Sequence, residues 1–248
     1  MSSFDIESLL SFSPPRFLCK RCCGLNSVQY HAKLRLPVCT VCNARYLSTE
    51  SFDSWQYEKY LRTVDCGITF KDPIAHCQRL AGIARGIRSN ARSETLLGLL
   101  LQSLAEAKQF VHFVSYGISW QFIGALKLAA QRISIRGVVA NADQESVREL
   151  IEFRADAPKL HVHAFGQDKQ LADVPHHKLI LIDGLLAFKG SANLTLPGWR
   201  KAEKGLEMID VVTDIDEVTR LNNEYFAPLW SQISDEPESI NMKDDIPF

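Results

Sequence analysis

No run in this 248-residue chain approaches the ~18 consecutive apolar residues that a membrane-spanning helix requires. The first thirty residues also lack a basic segment leading into an apolar one with a small-residue cleavage site. The expectation is a cytoplasmic protein with no membrane partner. Net charge is nearly absent, at -1, and no internal repeat is found. The seven cysteines are an odd number in a chain without a secretory signal, which argues against a disulfide framework and for metal binding or free thiols. What is present is apolar material: 46% hydrophobic against 23% charged residues excludes wholesale disorder and supports a real core. At roughly 150 residues per domain, the length suggests one α/β domain with a smaller attachment.

Four parts follow from the pattern: a cysteine-rich segment at 11–49, a helical, basic connector at 50–92, a larger domain at 93–232, and a disordered acidic tail at 233–248. In the larger domain Ser93 is the expected N-cap of a helix over Glu94–Lys108. Strand-like runs are Phe110–Tyr116, Ile133–Ala140, Leu160–Phe165, His177–Ile182, Leu185–Lys189 and Met208–Thr213. Helical runs are Trp120–Arg132, a segment capped by Asp143 and ending near Ala155, and 215–232. Strands alternating with helices and then forming a hairpin predict an α/β fold, a mixed sheet flanked by helices.

Cys19 and Cys22 form one CxxC pair, and Cys39 and Cys42 form a second after sixteen residues. Two such knuckles can set four thiolates tetrahedrally around one zinc ion, and the segment resembles a zinc ribbon. Cys23 could replace Cys22, and His31 is a weaker substitute. Four thiolates leave no position for water, so the expected Zn2+ is structural. Cys66 and Cys77 lack partners at ligand spacing and read as buried thiols.

Charge is unevenly spread. Arg16, Lys20, Arg21, Lys33, Arg35 and Arg45 lie within 11–49, and Arg79, Arg85, Arg88 and Arg92 within 73–93, with no acid in either stretch. Even after a four-thiolate zinc site adds its -2, this third of the chain is positive, as a surface facing phosphates would be.

The residues with the most chemistry lie at His176-His177-Lys178 and Gly190-Ser191-Ala192-Asn193, on either side of Asp183-Gly184. Asp-Gly between apolar runs favours a two-residue hairpin turn. Pairing Ile182 with Leu185 would set His176 opposite Ser191 and Lys178 opposite Lys189. Alternation along strands then projects His176 and Lys178 from one face, with Ser191 and Asn193 if the ladder reaches them, and sends Leu179 and Leu181 to the other. An imidazole, an ammonium, a hydroxyl and a carboxamide suit a phosphate. The same register puts Asp183 in the turn, off the reactive face, and points His177 away. His161 and His163 alternate along one strand as core residues or ligands.

HxK(x)4D followed by GSxN resembles the signature of the phospholipase D superfamily, and the element order over 93–232 resembles one repeat of that family. The resemblance implies that His176 is a nucleophile, or the acid, in phosphodiester cleavage through a phosphohistidine. It implies that Lys178, Ser191 and Asn193 hold the phosphate and that no metal is needed for this chemistry. Asp183 belongs to the motif and is expected to be structural. Glu207 stands where the family has a glutamate orienting the nucleophile's other ring nitrogen; Gly205 departs from the asparagine often found two residues earlier. Only one motif copy is present: His112 and His163 have no Lys at plus two, and His31 has Lys33 but no following Asp or GSxN. Two histidines are required, so the resemblance implies a homodimer with one site across its two-fold axis.

The tip Asp244-Asp245-Ile246-Pro247-Phe248 resembles the acidic end of bacterial single-stranded-DNA-binding proteins, which docks a terminal Phe in a partner's apolar pocket. A protein partner that reads this tip is expected. The sequence as a whole reads as a nuclease for nucleic acid, DNA favoured, in repair, restriction or defence against phage. A non-catalytic DNA-binding or recruitment module and a lipid phosphodiesterase are the alternatives. Intact His176, Lys178 and Asn193 weigh against the first, and the basic amino-terminal third weighs against the second.

Overall fold

The computed structural model describes residues 17–34, 36–46, 70–88, 95–152, 156–166 and 176–235. Cys66, Ser93 and the expected tail from 236 onward, including the Asp244–Phe248 tip, lie outside the described residues. A short antiparallel hairpin, β1 (Val28–His31) and β2 (Leu36–Cys39), carries the cysteine-rich segment. The larger domain is built on a six-stranded sheet in the order β5-β4-β3-β6-β7-β8. Its strands are β3 (Phe110–Ser115), β4 (Ser134–Ala142), β5 (Leu160–Gly166), β6 (Lys178–Ile182), β7 (Leu186–Gly190) and β8 (Ile209–Val212). The β3-β4-β5 half is parallel and the β3-β6-β7-β8 half antiparallel, so the sheet is mixed as expected.

Period-two alternation sorts the side chains of each strand between two cores. Val111, Phe113, Ile135, Ile180, Ile182 and Phe188 face one, which is closed by α1 (Pro73–Arg88), α2 (Leu96–Glu106), α3 (Trp120–Ala130) and α5 (Leu196–Glu203). Val114, Val138, Leu179, Leu181 and Ala187 face the other. That face is covered by α6 (Ile215–Leu221), a π-helical turn at Asn222–Phe226, α7 (Ala227–Asp235), and the ribbon residues Leu18 and Cys23. The segment capped by Asp143 is α4 (Gln144–Val147), continued as a π-helical turn at Arg148–Glu152. Gly137 is required on β4 because a Cβ there would lie 2.1 Å from the Phe113 ring.

Several details differ from the sequence reading. The cap of α2 is Thr95, whose hydroxyl accepts the Gly98 N–H at 3.0 Å. Helix α1 falls inside the segment read as a connector, yet Leu80, Ile83 and Ala84 pack into the sheet's core, and Arg79 meets Glu106 at 3.7 Å. Helix α5, capped by Thr195 and carrying Pro197 in its first turn, was not foreseen. Helix α7 also runs through Ile233 to Asp235, where the tail was expected to begin.

The hairpin register is shifted by one. Leu185 N–H donates to the Ile182 carbonyl at 2.9 Å across Asp183 and Gly184, both at positive φ, so the expected turn forms. The ladder then resumes with Ile182 opposite Leu186, which places Lys178 opposite Gly190 and Leu179 opposite Lys189. Lys189 therefore leaves the face of Lys178 and pairs with Glu217 at 3.4 Å on the other side.

His112 is sealed in the second core, stacked on Phe226 with ring centroids 4.3 Å apart, and its Nδ1 bonds the Asn222 Oδ1 at 2.8 Å. Burial holds its imidazole far below the ordinary 6.5, at about 3, so it folds as the neutral base. The unfolded chain then binds one more proton between these values, and stability falls as pH drops through them. Acidification below pH 6.5 should cost roughly 1.4 kcal/mol per unit from this residue alone. Urea unfolding of the wild type and His112→Phe at pH 7 and pH 5 checks this: the variant, less stable at pH 7, should show a shallower acid loss. Equal acid losses would refute the assignment.

Candidate active site

The ends of the central strands meet where β3 and β4 finish, β6 begins and β7 stops. Three hydrogen bonds fix the backbone there. Ser115 Oγ donates to the Gly117 carbonyl at 2.6 Å and accepts the Leu194 N–H at 2.9 Å, while Asn141 N–H donates to the Tyr116 carbonyl at 2.7 Å. A parallel bridge of Ile118 with Leu194 ties the segment after β7 to the end of β3.

Around this frame the structure gathers most of the sequence-selected residues. His176 is exposed, and its ring lies on Tyr116 with centroids 4.6 Å apart and planes 13° from parallel. The Lys178 ammonium stands 5.8 Å from the same Tyr116 ring centroid and donates to the His176 carbonyl at 2.6 Å. Partial burial lowers the Lys178 pKa, against an opposing pull from the nearby Glu207 carboxylate. Asn193 comes beside Gly117, its Nδ2 4.0 Å from where a Cβ on that glycine would stand; its Oδ1 is buried without a hydrogen-bond partner among the described residues.

Ser191 and Glu207 complete the rim. The ladder of β7 ends at Gly190, so Ser191 is placed by the next strand: its N–H donates to the Met208 carbonyl at 3.0 Å and its Oγ accepts the Met208 N–H at 2.9 Å. Ser191 Oγ also donates to the Glu207 carboxylate. Glu207 is thus engaged with Ser191 rather than with His176. The glycine before Ser191 has a steric reason, since a Cβ on Gly190 would lie 2.0 Å from the Met208 carbonyl oxygen.

Asp183 is not in this group. It sits in the turn at the far end of the five-residue strand β6, about 16 Å away along the chain at strand spacing. Fully buried, its carboxylate accepts the backbone N–H groups of Lys108 (2.8 Å), Gln109 (2.8 Å) and Phe110 (2.9 Å) and bonds the His76 Nε2 at 2.7 Å. It fastens the hairpin to the start of β3 and to α1. His177 turns to the opposite side, edge-on to Tyr225 at 4.6 Å, and burial lowers its pKa. His163 packs edge-on against Trp230 at 4.7 Å, and burial lowers its pKa too.

The cysteines form a second centre. Cys19, Cys22, Cys39 and Cys42 bring their sulfurs within 4.8 Å of one another, the one such grouping of metal-ligating side chains among the described residues. Cys19 and Cys42 are 3.7 Å apart and Cys22 and Cys39 3.6 Å, close to the edge of about 3.8 Å for sulfurs 2.3 Å from a tetrahedral ion. These four can hold a metal ion. Second contacts are in place: the Tyr46 hydroxyl donates to Cys19 Sγ at 3.0 Å, and Ser27 Oγ lies 3.2 Å from Cys39 Sγ. Cys23 turns out of the cluster into the second core, where Arg136 donates to its Sγ at 3.2 Å. His31 is likewise outside it, accepting the Leu34 N–H at 3.3 Å. Cys77 is half-buried, which raises its thiol pKa.

A family model described as cardiolipin synthase, PLD-like domain, matches residues 100–230, more than half of the chain. The chain belongs to the phospholipase D-like family. Among solved structures, this phospholipase D-like chain is similar to NucT from Helicobacter pylori at 19% identity, covering 54% of this chain and 87% of that one, with a TM-score of 0.42. It is also similar to Nuc from Salmonella typhimurium, a phospholipase D family member, at 19% identity, 54% and 86% coverage and a TM-score of 0.39. A third likeness, at 15% identity, 60% and 51% coverage and a TM-score of 0.37, is to TrmBL2, an archaeal chromatin protein. No curated protein matches the chain. The matched span runs from within α2 to within α7, and no helix among the described residues is long and apolar enough to cross a membrane.

Tyr116 and His76 are the two residues that sequence reasoning passed over. Tyr116 read only as the end of a strand. His76 lies 107 residues before its partner Asp183, and no local pattern marks such a pair.

Proposed function

We propose that this protein is a nuclease, a phosphodiesterase that cleaves nucleic acid without a catalytic metal, with DNA its preferred substrate. The observation that carries the reading is the meeting of His176, Lys178 and Asn193 around the Tyr116–Gly117 corner. In the reaction, one His176 ring nitrogen attacks phosphorus, forming a P–N bond as the P–O bond to the leaving strand breaks. The leaving oxygen takes a proton from the imidazolium of His176 of the partner subunit. Water then attacks phosphorus, the P–N bond breaks, and that second imidazole accepts the water's proton. Lys178 and the Asn193 amide neutralise the phosphoryl oxygens, and Ser191, held by Glu207, adds a hydroxyl beside them.

One chain supplies one such histidine, so the active unit is a homodimer. Supporting this, Leu206 and Met208, on either side of Glu207, are 72% and 63% exposed, and Trp120, three residues beyond Gly117, is 73% exposed. A second copy would cover this apolar rim. The metal is structural Zn2+ held by Cys19, Cys22, Cys39 and Cys42. The basic ribbon, with Lys20 and Arg21 exposed, favours nucleic acid over lipid as substrate. Deletion of Ile246–Phe248 should abolish capture of the partner that reads the acidic tip.

The test is cleavage of fluorescent single-stranded DNA, duplex DNA and RNA in magnesium-free buffer with mild chelation, with sedimentation run alongside. Cleavage of DNA by a dimer is expected. Binding without cleavage of any substrate would instead identify a recruitment module, and activity from a strict monomer would remove the shared site.

A further inference from the structure

We propose that Tyr116 is a positioning residue for phosphodiester cleavage, an aromatic shelf that fixes the plane of the His176 imidazole and the approach of the Lys178 ammonium. The inference rests on the nuclease reading of the same site and adds a residue outside the HxK and GSxN elements. His176 precedes the first paired residue of β6, so the sheet ladder does not hold it. It is also exposed, and an exposed imidazole free about two torsions would point its nitrogens in many directions. The Tyr116 ring supplies the missing constraint through near-parallel contact at 4.6 Å and 13°.

The geometry suits the chemistry. Stacking covers one face of the imidazole and leaves its edge open, so both ring nitrogens stay available for attack and for orientation. The same ring lies under Lys178 at 5.8 Å, so one aromatic group registers the nucleophile against a phosphate-binding cation. The shelf is itself fixed. Its carbonyl takes the Asn141 N–H, and the residues on both sides are fastened through Ser115 Oγ, so Tyr116 cannot follow a wandering imidazole. None of these contacts uses the phenol hydroxyl, which makes the ring the working part.

The test compares full-length wild type, Tyr116→Phe and Tyr116→Leu on bis(p-nitrophenyl) phosphate, with folding of each checked by circular dichroism. Loss of alignment should lower kcat of the Leu variant about a hundredfold with KM changed by less than about threefold. The Phe variant should keep kcat within about threefold of wild type. In parallel, NMR of the His176 Cε1 proton, assigned by its absence in His176→Asn, should show an upfield ring-current shift in wild type and Phe that disappears in Leu. Unchanged kcat in the Leu variant, or a Phe variant as impaired as Leu, would overturn the proposal. So would a His176 proton with no ring-current shift in the wild type. Should wild type cleave nothing, the nuclease reading fails, and the NMR comparison alone still decides whether the shelf fixes the imidazole.

Discussion

Replacing His176 with Ala should reduce nucleic-acid cleavage by at least about a thousandfold while the protein remains folded. The expectation combines two features of the residue. As the proposed nucleophile it has no substitute: His177 points to the other face against Tyr225, and His163 packs against Trp230. As a structural element it does little, being exposed and in contact mainly with the Tyr116 ring, so its loss should change stability by no more than about 0.5 kcal/mol. Lys178→Ala should fall less far, by about a hundredfold, because it removes one of several groups that neutralise the phosphoryl oxygens. Thermal unfolding and single-turnover cleavage on the same preparations check both halves. A His176→Ala protein that is inactive because it is unfolded would not count as support.

Stripping the metal should destabilise the whole protein rather than the ribbon alone. The ribbon contributes few apolar groups of its own, chiefly Leu25 and Val28, so a metal held by the four cysteines would be the main source of its folding energy. It is also docked on the sheet domain. Asn223 Nδ2 donates to the Leu25 carbonyl and its Oδ1 accepts the Leu25 N–H, both at 2.7 Å, and Asn222 Nδ2 donates to the Cys23 carbonyl at 3.0 Å. Asn222 also holds His112 of β3, and Cys23 sits among Val114, Val138, Leu179 and Leu181. Releasing the ribbon breaks these bonds at about 1 kcal/mol each and uncovers part of that core, for a total of about 3–5 kcal/mol. For a chain of this size the unfolding midpoint should fall by about 10 °C. Calorimetry of wild type with and without a strong chelator, and of Cys39→Ser, measures it. A main transition unmoved by both treatments would show that the ribbon is an independent module.

These contacts show where the sequence was legible. Every strand of the six-stranded sheet was readable as a short run rich in apolar and β-branched residues, because the inner strands bury both faces, one against each core. The register was not, because Leu185 is an apolar residue next to an apolar strand, and nothing local separates an extra loop residue from the first strand residue. The one-residue shift decides which lysine faces the site: Lys178 stays, while Lys189 crosses to Glu217. CxxC spacing led to the four clustered sulfurs because the cysteines come in local pairs. The docking of the ribbon was hidden, since Asn222 and Asn223 lie about 200 residues from the backbone they hold. Asp183 was correctly expected in the turn, but its partner His76 and the three N–H groups of the β3 start depend on tertiary structure. Tyr116 was overlooked for the same reason, since its value lies in what stacks on it.

The central claim is covalent catalysis by His176, and the most direct measurement is mass spectrometry of protein quenched with base during turnover of a single-stranded oligonucleotide, conditions under which a phosphoramidate bond survives. The account predicts a nucleotidyl adduct on the peptide carrying His176, absent after acid treatment and absent from His176→Ala. Rapid cleavage by wild type with the His176 peptide unmodified at every time point would contradict it.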